Sequence, residues 1–297
     1  MTATALDPAL PALQAACITA GVDSGGATLM RASENSLYRL QGGIVARVTR
    51  PGQQAVAAKE VAVSRWLASI GFPVVQVAEG VEQPVSADGR AVTFWHELPS
   101  HTAGSPIQVG QILRALHALP LPTDLTLPRL NPLVRLAERV EGASQLEEGD
   151  RAWLAQQVED LSAAWASLPL GRPWCAVHGD AWGGNIVSTT AGVVMLDLER
   201  FAYGPPEWDL TAMAVDRESF GAISATDWHA VCDGYGLDVT TWEGYETLRA
   251  IRELRKVTFA WQIADQDPAR VDQARYRLAC IQGREGPRPW NWVAVVS

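Results

Sequence analysis

Three polar residues stand close together in the stretch from Ala176 to Glu199. Asp180 and Asn185 are five positions apart, and Asp197 follows twelve positions later. Phosphoryl transfer uses residues of these types: one carboxylate can orient and deprotonate an acceptor hydroxyl, while an amide oxygen and a second carboxylate hold Mg²⁺ on nucleotide phosphates. Asp180 suits the first task, and Asn185 with Asp197 suits the second.

Short apolar runs flank these three residues and must position them. The chain reads AVHGD up to Asp180, NIV from Asn185 and VVMLD up to Asp197. Short β-branched runs bounded by glycine and polar residues are typical of strands. The three polar side chains are therefore predicted on loops between strands, where functional residues are common.

The order of these residues resembles a known family pattern. The stretch from His178 to Asn185 reads HGDAWGGN, and the next predicted strand ends in MLDLE, which contains Asp197. This resembles the HGDxxxxN loop of the aminoglycoside phosphotransferase and choline kinase-like small-molecule kinases. The resemblance implies that Asp180 is the catalytic base, that Asn185 and Asp197 bind Mg²⁺, and that His178 is structural. An HGD tripeptide alone would also fit an ordinary turn.

The resemblance implies a protein-kinase-like, two-lobed α+β fold. An N-terminal antiparallel sheet lobe, residues 1–98, would bind the nucleotide, and a mainly helical C-terminal lobe, residues 99–297, would hold the catalytic loop and the acceptor. The residue pattern predicts a sheet of five strands and one amphipathic helix for the first lobe. The clearest runs are strands at 36–40, 44–48, 74–77 and 91–95, with turns at Gly42 and Gly43 and at Asp88 and Gly89, and a helix at 53–70.

Three residues of the first lobe are assigned to the nucleotide phosphates by the resemblance. Ser36 belongs to the segment Glu34–Tyr38, which would lie over the phosphates. Arg47 stands where relatives commonly carry lysine, and its planar guanidinium would hold a phosphate by two parallel bonds. Glu60, on the predicted helix, would be its partner. Strand alternation could equally turn Arg47 to solvent, and Glu60 could be an exposed surface residue.

The run from Trp95 to Pro99 leaves the predicted sheet and corresponds to the hinge of the kinase-like fold. The resemblance implies that the carbonyl of His96 or Glu97 and the amide of Leu98 face the edge of adenine or guanine. Because the backbone does this binding, the hinge side chains carry little of the assignment.

The second lobe contains candidate structural residues and candidate carboxylates for acceptor binding. Asp209 is expected to be structural, bonding the catalytic loop near the start of a helix, and His117 is expected to be buried and hydrogen-bonded. The carboxylates that could face a cationic acceptor are Glu147, Glu148, Asp150, Glu199, Glu207 and Asp216. An acidic first turn of a helix would explain the run at 147–150 equally well.

The composition of the chain narrows the classes of protein and of binding partner to consider. The 297 residues are 47% hydrophobic and 19% charged, as in a globular chain, and the formal net charge of -9 disfavours nucleic-acid and anionic-membrane partners. The acidity would suit a cationic acceptor, although it is also an ordinary route to solubility. Four scattered cysteines without CxxC spacing argue for reduced thiols, and no signal peptide or membrane span is evident. A cytoplasmic enzyme is expected.

The sequence thus predicts a Mg²⁺-dependent O-phosphotransferase that moves the γ-phosphate of ATP or GTP to a hydroxyl of a small molecule, such as an aminoglycoside or another antibiotic, with resistance as the consequence. A metabolite kinase acting on homoserine, a choline-like compound, a sugar or a nucleoside is an open alternative. Two other classes also stay open: a nucleotide-binding pseudokinase without transfer activity, and a metal-dependent phosphoesterase using His178, Asp180 and Asp197.

Overall fold

The protein has an α+β fold, seen in a computed structural model that describes residues 7–32 and 35–295. The chain forms two compact units. The first contains the described residues up to Gly104 together with Pro122–Thr126 and Gly183–Phe201, and the second contains Ser105–Leu121, Leu127–Trp182 and the described residues from Ala202. Glu34, which was assigned to the phosphate loop, lies outside the described residues.

The first unit is built on two antiparallel sheets. Its elements are α1 (Leu10–Ala20), β1 (Thr28–Ala32), β2 (Ser36–Leu40), β3 (Ile44–Val48), α2 (Gln54–Ser69), β4 (Val85–Ala87), β5 (Arg90–His96), β6 (Thr102–Ala103), β8 (Ile186–Thr189) and β9 (Gly192–Met195). One sheet has the order β1-β2-β3-β5-β4 and the other the order β6-β8-β9. Leu13 of α1 shares one hydrophobic core with Tyr38, Ala46 and Phe94 of the larger sheet.

The two glycine-containing turns form hairpins as the sequence predicts. Gly42 and Gly43, with φ of 73° and 72°, lie in the loop between β2 and β3. Asp88 and Gly89, with φ of 49° and 72°, form the two-residue loop between β4 and β5. In the two-residue loop at Asp88 and Gly89, positive φ at both residues is the geometry that matches the twist of paired antiparallel strands.

The predicted strand at 74–77 is wrong. Val75 N–H donates to the Met195 carbonyl of β9 at 2.9 Å, whereas Val77 forms an isolated bridge with Trp95 of β5. Because its backbone bonds go to two different strands, the run does not extend a single ladder. The fourth strand is β4, which pairs with β5.

The second unit is mainly helical. Its elements are α3 (Pro106–His117), α4 (Leu136–Gly142), α5 (Glu148–Ala166), β7 (Cys175–Val177), β10 (Ala202–Gly204), α6 (Glu207–Glu218), α7 (Ala225–Tyr235), α8 (Tyr245–Ala264) and α9 (Val271–Ile281). Leu254, Val257 and Trp261 of α8 share a core with α4, α5 and α9. β7 pairs antiparallel with β10, with Val177 opposite Ala202. Nowhere in the described ranges does a helix have the length and apolar character needed to span a membrane.

Candidate active site

Asn185 and Asp197 lie at the same end of the β8–β9 hairpin in the first unit. Ile186 pairs with Met195, and Leu196 N–H donates to the Asn185 carbonyl at 2.8 Å. Asn185, just before β8, and Asp197, two residues after β9, are therefore neighbours. Asn185 is buried and Asp197 is exposed, so a buried amide and an exposed carboxylate share one edge.

The backbone at Asp197 is in the left-handed region, with φ of 55° and ψ of 71°. Aspartate is one of the few residue types that tolerate this conformation, because its short polar side chain can bond locally. A 3₁₀ turn, Leu198–Arg200, follows directly. The chain therefore bends sharply at Asp197, instead of continuing β9 past the carboxylate.

Arg47 of β3 contacts two carboxylates. Its Nη1 donates to both oxygens of Glu60 on α2, and its Nη2 donates to Glu199 Oε2 at 2.8 Å. The Glu60 side chain is 1% exposed and that of Arg47 is 12% exposed. The predicted partnership of Arg47 and Glu60 is therefore a buried ion pair, and the contact with Glu199 was not predicted.

Burial and the neighbouring carboxylates Asp197 and Glu199 together raise the pKa of Glu60 to about 7, although Arg47 opposes them. Burial alone would lower the pKa of Arg47, but the charges of Glu60 and Asp197 outweigh it and raise that pKa. The Arg47 guanidinium thus shares this region with the carboxyl groups of Glu60, Asp197 and Glu199 and with the Lys59 ammonium.

Lys59 fixes the segment after Asp197. Its Nζ donates to the carbonyls of Glu199 at 2.7 Å and Phe201 at 3.0 Å. Burial lowers the pKa of Lys59, with Glu60 and Glu199 opposing the shift. Lys59 is the residue before Glu60 on α2. Helix α2 therefore binds Arg47 through Glu60, and it binds the segment that follows Asp197 through Lys59. Sequence reasoning missed this role, although the adjacent position was already assigned.

The loop that carries Asp180 lies in the second unit and is held by Asp209 of α6. His178 N–H donates to Asp209 Oδ2 at 2.7 Å, and Gly179 N–H donates to Asp209 Oδ1 at 2.8 Å. The expected structural role of Asp209 is thereby confirmed. Its mode is also the expected one, since both carboxylate oxygens accept bonds from the catalytic loop.

His117 of α3 supports the same carboxylate. Its Nε2 lies 3.0 Å from Asp209 Oδ2, and its Nδ1 lies 2.9 Å from the Tyr235 hydroxyl of α7. Burial alone would raise the pKa of Asp209, but the hydrogen bond and charge of His117, with the charge and backbone hydrogen bond of His178, hold it below its usual value. The His117 side chain is 5% exposed and hydrogen-bonded, as expected, whereas no sequence signal linked Tyr235 to the loop.

His178 and Gly179 complete the loop geometry. Asp180 N–H donates to His178 Nδ1 at 3.2 Å. Gly179 has a φ of 85°, and its carbonyl accepts a bond from Trp208 Nε1 at 3.0 Å. His178 is fully buried. It is therefore a structural residue of the loop, as expected.

Asp216 of α6 is electrostatically coupled to Asp180. Burial raises the pKa of Asp216, Lys256 and Arg252 oppose the shift, and the charge of Asp180 adds to it. Two carboxylates and two cations therefore share this part of the second unit. A ligand with both hydroxyl and amino groups could bond to such a set.

Two of the other acidic candidates, Asp150 and Glu207, have structural partners. Asp150, in the first turn of α5, accepts a bond from Gln282 Nε2 at 2.9 Å and lies 3.7 Å from Arg284. Glu207 is buried, and its Oε1 accepts the backbone N–H of Arg172 at 2.7 Å. Their roles in acceptor binding have no support from these contacts.

The predicted hinge residues Glu97 and Leu98 directly follow β5, which ends at His96. Glu97 N–H donates to the Gly43 carbonyl at 2.7 Å, and the Glu97 side chain pairs with Arg39 at 2.6 Å. Leu98 is half-buried, and Ser36 opens β2 opposite Val48. The roles of Ser36, Glu97 and Leu98 toward a nucleotide stay predictions.

The oxygen donors at the β8–β9 edge fit magnesium. Mg²⁺ takes oxygen ligands, keeps several waters and is usually held by one or two protein oxygens plus substrate phosphates. Asn185 and Asp197 supply one amide and one carboxylate. No cluster of three or more His, Cys, Asp or Glu side chains suited to a metal occurs in the part of the chain that the structure describes.

The chain is similar to known proteins in sequence pattern and in fold. The family model described as "Phosphotransferase enzyme family" (APH) matches residues 29–251. No curated protein matches the chain.

Solved structures of low sequence identity share the fold. A choline/ethanolamine kinase family protein from Mesorhizobium loti has a TM-score of 0.56 at 19% identity, covering 88% of this chain and 88% of that chain. An amicoumacin kinase in complex with AMP-PNP and Ca²⁺ has a TM-score of 0.65 at 13% identity, covering 90% and 92%. An aminoglycoside phosphotransferase from Streptomyces rimosus in complex with ADP and streptomycin has a TM-score of 0.57 at 20% identity, covering 82% and 96%.

Proposed function

The chain belongs to the phosphotransferase enzyme family, and we propose that it transfers the γ-phosphoryl group of ATP or GTP to a hydroxyl of a small molecule. The observation that carries this proposal is the β8–β9 edge, where Asn185 and Asp197 are neighbours. An amide and a carboxylate at one edge are the protein ligands that nucleotide-bound Mg²⁺ requires. When bound there, the ion would neutralise phosphate charge.

Asp180 is the proposed base. The backbone of its loop is bonded to the Asp209 carboxylate, and the Gly179 carbonyl accepts a bond from Trp208. The Asp180 carboxylate therefore needs little reorganisation to meet an acceptor hydroxyl. The hydroxyl proton passes to Asp180 as the acceptor oxygen attacks the γ-phosphorus, and the bond from that phosphorus to the β,γ-bridging oxygen breaks, so that ADP or GDP leaves. Arg47, held by Glu60, would bind the nucleotide phosphates, and the backbone at Glu97 and Leu98 would bind the base.

We propose a cationic acceptor, such as an aminoglycoside or a choline-like compound. Asp180 and Asp216 are close enough for their charges to interact. An ammonium group would relieve the repulsion between them. The solved structures of similar fold include a choline kinase and an aminoglycoside phosphotransferase in complex with streptomycin, which makes both compounds reasonable first acceptors to test. Resistance to an antibiotic would follow if the acceptor were one.

The test is turnover of Asp180→Asn. With ATP and GTP as donors and a panel of aminoglycosides, choline, homoserine, sugars and nucleosides, nucleotide consumption should depend on an acceptor. The variant should lose about 10²- to 10⁴-fold in kcat while retaining nucleotide affinity, because only general-base catalysis is removed. The matched control is Asp272→Asn, whose side chain is 98% exposed on α9 and which should behave as wild type.

Each alternative class has its own outcome in this assay. Undiminished turnover by Asp180→Asn would overturn the base assignment. Nucleotide binding without transfer to any acceptor would indicate a pseudokinase. Hydrolysis of phosphate esters without nucleotide would indicate a phosphoesterase.

A further inference from the structure

The second unit contains a cavity of about 480 Å³ that the proposed reaction does not use. This volume lies in the range of small-molecule sites. Among the described residues, none of the loop residues 178–180 lines it. The lining residues that matter to its chemistry are Arg114, His117, Arg172, Trp174, Cys175 and Tyr235.

Two arginines give the cavity its charge. Arg114 stands in the last turn of α3, and Arg172 stands in the segment between α5 and β7; both are exposed. Within residues 7–32 and 35–295, neither guanidinium forms an ion pair or a hydrogen bond, and no aspartate or glutamate lines the cavity. In a chain of net charge -9, a concave surface with two unpaired arginines selects an oxyanion.

Helix-end electrostatics accounts for only one of these arginines. Arg114 lies at the C-terminal end of α3, where a cation is favoured by the helix dipole. Arg172 is on a loop, with its guanidinium carbon 5.9 Å from the centre of the Tyr235 ring. The backbone N–H of Arg172 is fixed by buried Glu207 at 2.7 Å, so this second cation is held at the cavity by the loop.

The cavity wall leads to the catalytic loop through two hydrogen bonds. Tyr235 and His117 both line the cavity, and they are bonded to each other at 2.9 Å. His117 is bonded to Asp209, which holds the backbone of His178 and Gly179. A ligand that orders Tyr235 would therefore restrict the loop that carries Asp180.

We propose that this cavity binds a small phosphate monoester, with the phosphate between Arg114 and Arg172 and its organic part against the apolar wall at Trp174. Both arginines can donate in parallel to phosphate oxygens. The volume exceeds what a bare phosphate ion needs, which favours an ester. Binding steadies the loop through Tyr235 and His117; any effect of this on turnover rests on the proposed function.

Calorimetric titration with glycerol 3-phosphate tests the site, with inorganic phosphate and glycerol as the two component probes. Wild type should bind the ester more tightly than inorganic phosphate and should not bind glycerol. Arg114→Gln/Arg172→Gln should bind the ester about tenfold or more weakly, because both charge-assisted contacts are removed. Arg65→Gln/Arg275→Gln, which removes two exposed arginines elsewhere, should retain wild-type affinity.

Amide hydrogen exchange of the peptide containing residues 178–180 tests the link to the loop. The ester should slow this exchange in wild type and not in Arg114→Gln/Arg172→Gln. The corresponding Arg→Lys pair, which keeps the charges, should show intermediate affinity and serves if the Gln pair is unfolded by circular dichroism.

Two results would overturn the proposal. Equal ester affinity in wild type and the Gln pair, or no binding by wild type, would remove the site. Unchanged exchange at saturation would remove the link to the loop. Because neither measurement needs nucleotide or acceptor, failure of phosphoryl transfer would leave these results unaffected.

Discussion

Arg47 lies among several carboxyl groups of the first unit. Its guanidinium donates hydrogen bonds to Glu60 and Glu199, and it also interacts with the negative charge of Asp197. A lysine, which is a point charge on a flexible stem, could not contact both glutamates in the same forked geometry. The use of arginine at position 47 is therefore coupled to Glu199.

Arg47→Gln should destabilise the protein by about 3–5 kcal/mol, because it leaves the buried Glu60 carboxylate without its partner. Arg47→Gln/Glu60→Gln should recover much of this loss, since no uncompensated charge is then buried. Urea unfolding measures both free energies of unfolding. If the double variant were as unstable as the single one, the cost would come from packing and not from charge.

Asp209 is the corresponding residue of the second unit. Its carboxylate is fully buried and accepts bonds from two backbone amides and His117. Its pKa is lowered in the folded protein, so its contribution to stability is present above the ordinary aspartate pKa and is lost as the pH falls through the folded value.

Asp209→Asn should lower the free energy of unfolding at pH 7 by about 2–5 kcal/mol, because an amide offers one acceptor where the loop needs two. The difference from wild type should shrink as the pH falls from about 5 toward the folded pKa of Asp209, where the wild-type carboxylate also becomes neutral. Urea titrations across this pH range measure it. A difference that is constant with pH would contradict the charge-based role.

At the scale of elements, the packing of α3 on α7 sets the distance between His117 and Tyr235. A Cβ added to Gly110 would lie 2.3 Å from the Val231 carbonyl oxygen, and one added to Gly234 would lie 2.4 Å from the Ile107 carbonyl oxygen. The two helices thus approach at a pair of glycines. This close contact brings the His117 ring and the Tyr235 hydroxyl within hydrogen-bonding distance.

Gly110→Ala should therefore separate the helices, lower the free energy of unfolding by about 1–3 kcal/mol and reduce turnover through the loop held by Asp209. Gly149→Ala, in α5, is the matched control, because a Cβ there meets nothing within 4 Å. The control should be stabilised by about 0.4–1 kcal/mol, since alanine lowers the entropy of the unfolded chain. Thermal unfolding and steady-state kinetics of the two variants provide the comparison.

At the scale of the whole molecule, the chain returns to its first unit after entering the second. The residues 183–201, which include Asn185 and Asp197, belong to the first unit, while Asp180 belongs to the second. The change of unit between Trp182 and Gly183 falls inside the HGDAWGGN stretch. Residues that are five positions apart are thus supported by different cores.

The sequence by itself determined the family, the α+β class and the local elements around the candidate site. These features depend on short-range signals: apolar runs, turn glycines and the order of Asp180, Asn185 and Asp197. The roles assigned to these three residues stay predictions. The pairing of Arg47 with Glu60 was also expected, since the resemblance placed them on a strand and a helix of one lobe.

Tertiary structure alone decided which distant groups support the site. Three hydrogen-bonded contacts join positions between 118 and 152 residues apart. They are Glu199 with Arg47, Lys59 with the segment after Asp197, and Tyr235 with His117. Periodicity and turn chemistry act over a few residues and carry no information at such separations. The strand at 74–77 was wrong for the same reason, because its backbone partners lie on β5 and β9, and only the folded chain brings them there.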